Sequence, residues 1–350
     1  MAYVPALDGI RALAVILVMI FHSSAPALRA GYLGVDVFFV LSGFLITSLL
    51  LSEQERTGSI ALGRFYLRRF ARLMPPLAVC LLVYIVAAPH LWPEYEWHLR
   101  DAALSAGYLT DYGRAIWHVP NMLKHTWSLS VEEHFYLLWP LVIITITRAR
   151  RLPALKVLAL LYIAATAWRF YCVDVGHGWS GVYPRFDTRL SGLILGAFAA
   201  ASLRFGRNIG AGPVTTGATA AVLIFLLATR GHGDLMMLKF GVMVAELATI
   251  LCIIAVMKTP AAHPWLGSRS LAYIGRLSYG LYLFHYPAMY YLRDAYGWEI
   301  ALIGGSAFAM VLAMISYHTV EAWVRSWKAN RIDSTIRHHG RDAVTPISLT

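Results

Sequence analysis

Arg11 and His22 stand eleven residues apart in the stretch LDGIRALAVILVMIFHSS. At about 100° per residue they return to nearly the same azimuth of a helix, on the order of 16 Å apart along its axis. An arginine inside a membrane-crossing helix costs roughly 2.5–3.5 kcal/mol, so it either snorkels to the headgroups or faces a hydrated interior site. A second imidazole, His285, shares one helical stripe with Ser278 and Tyr282 in LSYGLYLFHYPAMYY, and Pro287 is placed to kink that helix. Asp36, near the start of GYLGVDVFFVLSGFLIT, shares a face with Gly43 and Thr47, where the glycine permits close helix approach. Such an acid is either a structural partner for Arg11 or another cation, or a group that orients a catalytic histidine. Counted along their helices, His22, His285 and Asp36 fall at one depth. They make a candidate acid–base centre, because imidazole both takes and returns a proton near neutrality.

Other groups surround this centre. Arg64, Arg68, Arg69 and Arg72 in RFYLRRFARLMPP form one basic face. That face is either a positive-inside anchor or a clamp for phosphate oxygens, which guanidinium forks fit. Ser130 and Glu133 in TWSLSVEEHFYLLWP match a capping box, with a chemical role for Glu133 as the alternative. Ser42 either back-bonds to its own helix or joins Tyr282 in lining a pocket. Arg185, Asp187 and Arg189 can pair among themselves. Ser42, Ser130, Glu133 and Tyr282 are therefore the candidate substrate-binding residues.

The elements that must position these groups are membrane spans. The chain has 350 residues, of which 58% are hydrophobic and 14% charged, and a mean hydropathy of +0.58. That is far less charge than a soluble domain carries. Ten spans are predicted, at 7–24, 34–52, 74–90, 131–147, 154–171, 187–203, 214–229, 235–257, 272–292 and 300–320. Most Lys and Arg fall in alternate connections on one side, whereas the other side receives Arg29, Arg100, Arg114, Lys124, Arg185, Arg230 and Arg293. The richer side is predicted to be cytoplasmic, with both termini there. Topology thus accounts for the net charge of +11 without nucleic acid.

No cleavable signal peptide is expected, since Arg11 interrupts the would-be apolar region. Cys80, Cys172 and Cys252 have neither disulfide nor metal spacing, and no metal site is expected. The connection 91–130, rich in Trp, Tyr and His, reads as an interfacial aromatic belt or as a hold on an extracytoplasmic substrate. The architecture expected is an all-α polytopic bundle over 1–325, followed by a flexible cytoplasmic tail over 326–350. It would hold a polar pocket between a basic inner mouth and a partner reached from outside.

In order, LDGIRALAVILVMIFH, GYLGVDVFFVLSGFLIT, FYLRRFARLMPP, TWSLSVEEHFYLLWP, RFDTRLSGLILG and SYGLYLFHYP together resemble the membrane acyltransferase-3 family. Its members O-acylate bacterial cell-surface glycans and some antibiotics. Arg11 and His22 match the family's R-x10-H motif. The resemblance implies that His22 is the catalytic base and that Arg11 helps hold the acyl donor. Asp36 and His285 are then assigned to the catalytic group, and Arg68, Arg69 and Arg72 to the donor's phosphates. His134 departs from the glutamine expected there, and no hydrolase-like domain is expected after the bundle.

The implied protein is an enzyme of the bacterial cytoplasmic membrane that moves acetyl from acetyl-CoA to a glycan hydroxyl. It would hold no permanent cofactor. Expected partners are acyl-CoA, a carbohydrate acceptor, membrane lipid, and a second copy or a delivery protein. The alternatives are acylation of a secondary metabolite such as a macrolide sugar, a transporter of a glycan or acylated substrate, and a membrane scaffold.

Overall fold

The computed structural model describes residues 3–148, 153–205, 213–229 and 231–331. Among these residues the chain is helical and has no strands. The helices are α1 (Pro5–His22), α2 (Gly34–Thr57), α3 (Leu62–Leu91), α4 (His98–Ala106), α5 (Thr110–Ile116), α6 (Trp127–Arg148), α7 (Ala154–Asp174), α8 (Gly178–Val182), α9 (Phe186–Arg204), α10 (Pro213–Thr229), α11 (Val242–Lys258), α12 (Arg269–Tyr296), α13 (Trp298–His318) and α14 (Val320–Arg331). In hydrocarbon every backbone amide must find its partner inside its own segment, so long apolar runs settle as helices.

Each of the ten predicted spans falls on a helix. Seven of these helices (α1, α2, α3, α6, α7, α11 together with the π-helical turn Met237–Gly241 that precedes it, and α13) are long and apolar enough to cross a membrane. The other three fall short of that measure: α10 has 17 residues, α9 carries Asp187 and Arg189, and α12 is rich in tyrosine and holds His285. The predicted tail begins inside α14, which runs to Arg331. Residues 332–350 lie outside the described residues, as do Arg150, Arg151, Arg207 and Arg230 of the charge pattern.

Two boundaries differ from expectation in ways that shape the site. α3 starts at Leu62, well before residue 74, so the basic run is part of the helix and Arg64, Arg68 and Arg72 follow one another at single-turn intervals. α2 runs to Thr57 and ends on Gly58, whose φ of +73° and whose N–H, donating to the Gln54 carbonyl (2.8 Å), make a left-handed cap.

The pairs α1 with α12 and α2 with α9 form the centre, and both are closed by glycines. A Cβ on Gly275 would strike the Asp8 carbonyl, and one on Gly43 the Leu193 carbonyl. Such contact between backbones is how helices associate where lipid removes the hydrophobic drive. The connection expected as an aromatic belt is instead folded. Trp97 and Trp117 are exposed, but Asp101 is buried and accepts from Tyr95 (2.8 Å) and from the amides of Asn121 (2.8 Å) and Met122 (3.0 Å).

Gly43→Val is expected to lower the stability of the solubilised chain by roughly 1–3 kcal/mol, as overpacking does. Thermal gel filtration should show it, while Gly63→Val, whose added Cβ meets nothing, leaves the midpoint unchanged. Equal midpoints for the two variants would mean that α2 and α9 do not meet through their backbones.

Candidate active site

The end of α1 brings His22 to α12, where its Nδ1 lies 2.8 Å from Nε2 of His285. The proton positions follow from the neighbours. His285 Nδ1 faces the carbonyls of Tyr282 (2.7 Å) and Leu281 (3.1 Å), which only accept, so this nitrogen carries the hydrogen. In the neutral pair, His285 Nε2 is therefore the acceptor and His22 Nδ1 the donor. His22 Nε2 is left with a free lone pair. That is the arrangement of an oriented general base.

A third imidazole was not singled out by spacing. Pro287 lacks an amide, so within α12 the carbonyl of Leu283 loses its usual partner. His125 Nε2 (3.3 Å) and the Cys80 thiol (3.4 Å) occupy that carbonyl instead. His125 stacks on Tyr286 at 4.8 Å, and its ring centroid is 5.7 Å from that of His285. Its Nδ1 is buried without a partner.

On one side of this cluster lies a cavity of about 1230 Å³. Its mouth carries Arg11, Arg64, Arg68, Arg69 and Arg72, and its inner end carries Ser42, Ser128, Glu132, Tyr136 and Tyr282. Ser42 donates to Glu132 (2.7 Å), as does Tyr136 (3.1 Å), and the Arg69 guanidinium lies 4.9 Å from the Tyr136 ring centroid. Tyr282 donates to the His125 carbonyl (2.8 Å) and meets the Ser128 hydroxyl at 2.6 Å. The Tyr282 ring, 5.5 Å from that of His285, separates the cavity from the histidines, which do not line it.

The structure thus brings Arg11, Arg68, Arg69, Arg72, Ser42 and Tyr282 to one cavity, with His22 and His285 paired beyond its inner end. Three candidates stand elsewhere. Asp36 does not bond to His22; it forms a fully buried ion pair with Arg189 of α9 at 2.5 Å, among the rings of Phe39, Trp127 and Tyr183. Its place is that of a structural counter-ion, with Arg189 in the role weighed for Arg11. Ser130 is not the N-cap of α6, which already begins at Trp127. Its hydroxyl accepts from the Thr110 amide (3.2 Å) at the start of α5. Glu133 is off the cavity wall, with Oε1 buried and unpartnered.

Arg185 and Asp187 do pair, at 2.5 Å, and this bond raises the Arg185 guanidinium above its ordinary value. Glu132 and Ser128 were missed, although Ser128, Glu132 and Tyr136 form a readable polar stripe one turn apart on α6.

Comparison with known proteins adds an independent line. Residues 4–318 match the family profile described as an acyltransferase domain. The peptidoglycan O-acetyltransferase OatA of Listeria monocytogenes is 34% identical over 307 residues, covering 81% of this chain and 49% of the relative. The O-acetyltransferase OatA of Staphylococcus aureus is 34% identical over 350 residues, covering 92% of this chain and 57% of the relative. The chain spans about half the length of the curated relatives it matches. No solved structure matches.

Two outcomes are expected. In nitrogen-15 spectra of histidine-labelled chain, His22 is the Nδ1–H tautomer, and His285→Phe converts it to a mixture; an Nε2–H form in the native chain would contradict the assignment. Asp36→Asn leaves a buried guanidinium uncompensated and costs roughly 3–5 kcal/mol, while Asp36→Leu combined with Arg189→Leu costs less. Unfolding midpoints check this, and a double variant worse than the single one would remove the ion-pair account.

Proposed function

The chain belongs to the acyltransferase family, and on that footing we propose that it is a membrane O-acetyltransferase acting from cytoplasmic acetyl-CoA onto a glycan hydroxyl. The observation that carries this reading is the free Nε2 of His22, fixed by His285 just past the inner end of a cavity with an arginine mouth. The family and the OatA relatives support O-acetyl transfer as the chemistry. The arginine-rich end would be cytoplasmic, and α9, α10 and α12 would join the seven apolar helices to make ten spans.

Acetyl-CoA would lay its phosphates on Arg64, Arg68, Arg69 and Arg72, whose guanidinium groups suit phosphate oxygens. Its pantetheine arm would run past Arg11 toward Ser42 and Tyr282. The cavity exceeds the roughly 300–1,000 Å³ of an ordinary small-molecule site, as a nucleotide with a long arm requires. The Tyr282 side chain would move aside to let the thioester reach His22. An acceptor hydroxyl gives its proton to His22 Nε2 while its oxygen attacks the thioester carbonyl. The new C–O bond forms, the C–S bond breaks, and the thiolate of CoA takes the proton back from His22. Polarisation by His285 steadies the charge that appears on the imidazole. Positioning both reactants against one base supplies much of the acceleration.

Proteoliposomes given labelled acetyl-CoA and bacterial glycan test this, with free CoA read by a thiol reagent. His22→Ala is expected to lower kcat by roughly 10²–10⁴-fold. Arg72→Ala should raise KM for acetyl-CoA with little change in kcat, the signature of lost uniform binding. Undiminished transfer by His22→Ala would reject the base, and glycan flux without CoA release would favour a transporter.

A further inference from the structure

A second cavity, of about 340 Å³, lies across α12 from the first, between α3, α12 and α13. Its walls are hydrocarbon: Ala87, Phe284, Ala288, Gly304 and Phe308 among them. The polar atoms of two other lining residues turn elsewhere, since the Tyr84 hydroxyl bonds His98 (2.9 Å) and the Cys80 thiol bonds the Leu283 carbonyl. Val83 and Phe308 on its rims are exposed, so the groove opens sideways from the bundle.

At the end opposite the arginine mouth, this groove reaches Trp92, which packs on Tyr290 at 5.9 Å. Over Tyr290 sit two cations, Arg293 at 5.0 Å and Lys124 at 5.6 Å. Among the described residues no carboxylate pairs with Lys124. Arg293 shares its charge with the half-exposed Asp294 and also bonds the carbonyl of His22 itself (3.4 Å). Lys124 also lies 6.0 Å from the Tyr286 ring, which packs on the His22 imidazole at 4.8 Å, so an apolar slot, a cationic pair and His22 follow one another along a single path.

We infer that this path binds the acceptor as a phosphate-linked glycolipid. The hydrocarbon tail lies in the groove, the phosphate rests on Lys124 and Arg293, and the first sugar reaches His22. The chemistry is matched at each station: apolar area for the tail, cations for phosphate, and a base for the hydroxyl. The inference rests on the acetyltransferase reading and narrows its acceptor from glycans in general to lipid-carried ones.

The full chain in phosphatidylcholine nanodiscs would be offered a polyprenyl pyrophosphate bearing a disaccharide, with retention read by native mass spectrometry. The native chain should retain the probe. Gly304→Leu, whose new side chain enters the groove with only the end of Leu292 nearby, should weaken retention about tenfold, as loss of roughly two methylenes of burial does. Ala87→Phe on the opposite wall should do the same, and Lys124→Ala with Arg293→Ala should weaken it through the phosphate. Equal retention by all variants, or displacement by phosphatidylglycerol at equal concentration, overturns the inference in favour of a general lipid surface.

In the activity arm, the native chain should acetylate the lipid-linked disaccharide in preference to the same disaccharide free in solution, and Gly304→Leu should lose only the preference. Equal use of both acceptors by the native chain overturns the glycolipid assignment. Transfer to neither, with the lipid still retained, sinks the acetyltransferase reading instead.

Discussion

The hydrogen bond between His22 and His285 is the constraint on which the rest of the molecule depends. It joins residues 263 positions apart in sequence, and its direction is imposed by backbone carbonyls that can only accept. For it to form, α1 and α12 must lie almost backbone to backbone, which the contact of Gly275 with the Asp8 carbonyl permits. A one-turn slip between the helices would displace the imidazole by about 5.4 Å, out of hydrogen-bond reach. The packing of two glycine-bearing helices is thus what gives one nitrogen its lone pair.

Charge buried away from that bond does a different job. Asp36 with Arg189, and Arg169 with Glu246, are ion pairs fully enclosed by the helices. Ser191 bonds both members of the second pair. Such pairs contribute little net stability but penalise any arrangement that separates them. They fix α2 against α9, and α9 against α7 and α11. α2 in turn supplies Phe38 and Ser42 to the cavity wall. Removing water from these groups therefore selects one packing of the bundle.

How much of this was legible depended on the range of each interaction. The stripe of Arg11 and His22 was readable because helical geometry relates residues eleven apart, and the arginine face of α3 for the same reason. The stripe of Ser278, Tyr282 and His285 put the second histidine on the face of α12 that meets His22. Asp36 left two readings open, a structural partner for a cation or an orienter of a histidine, because its partner Arg189 is 153 residues away and an acid alone does not reveal which cation it meets. Ser130 fitted a capping pattern, yet its hydroxyl serves α5, a short helix without a strong sequence signal. His125 looked like one member of an aromatic belt. Its burial follows from Pro287, since the proline frees a carbonyl that only a residue from elsewhere can satisfy. Helix existence was therefore plain in the sequence, whereas partners across the bundle were not.

The Tyr282 hydroxyl, tied to Ser128 and to the His125 carbonyl, has a consequence for the cell as well as for the reaction. A tunnel running from the arginine mouth through the histidines would let protons cross an energised membrane, where each charge gains about 2.3 kcal/mol per 100 mV. The cavity reaches Tyr282 and not the histidines, so this one side chain stands where such a tunnel would have to pass.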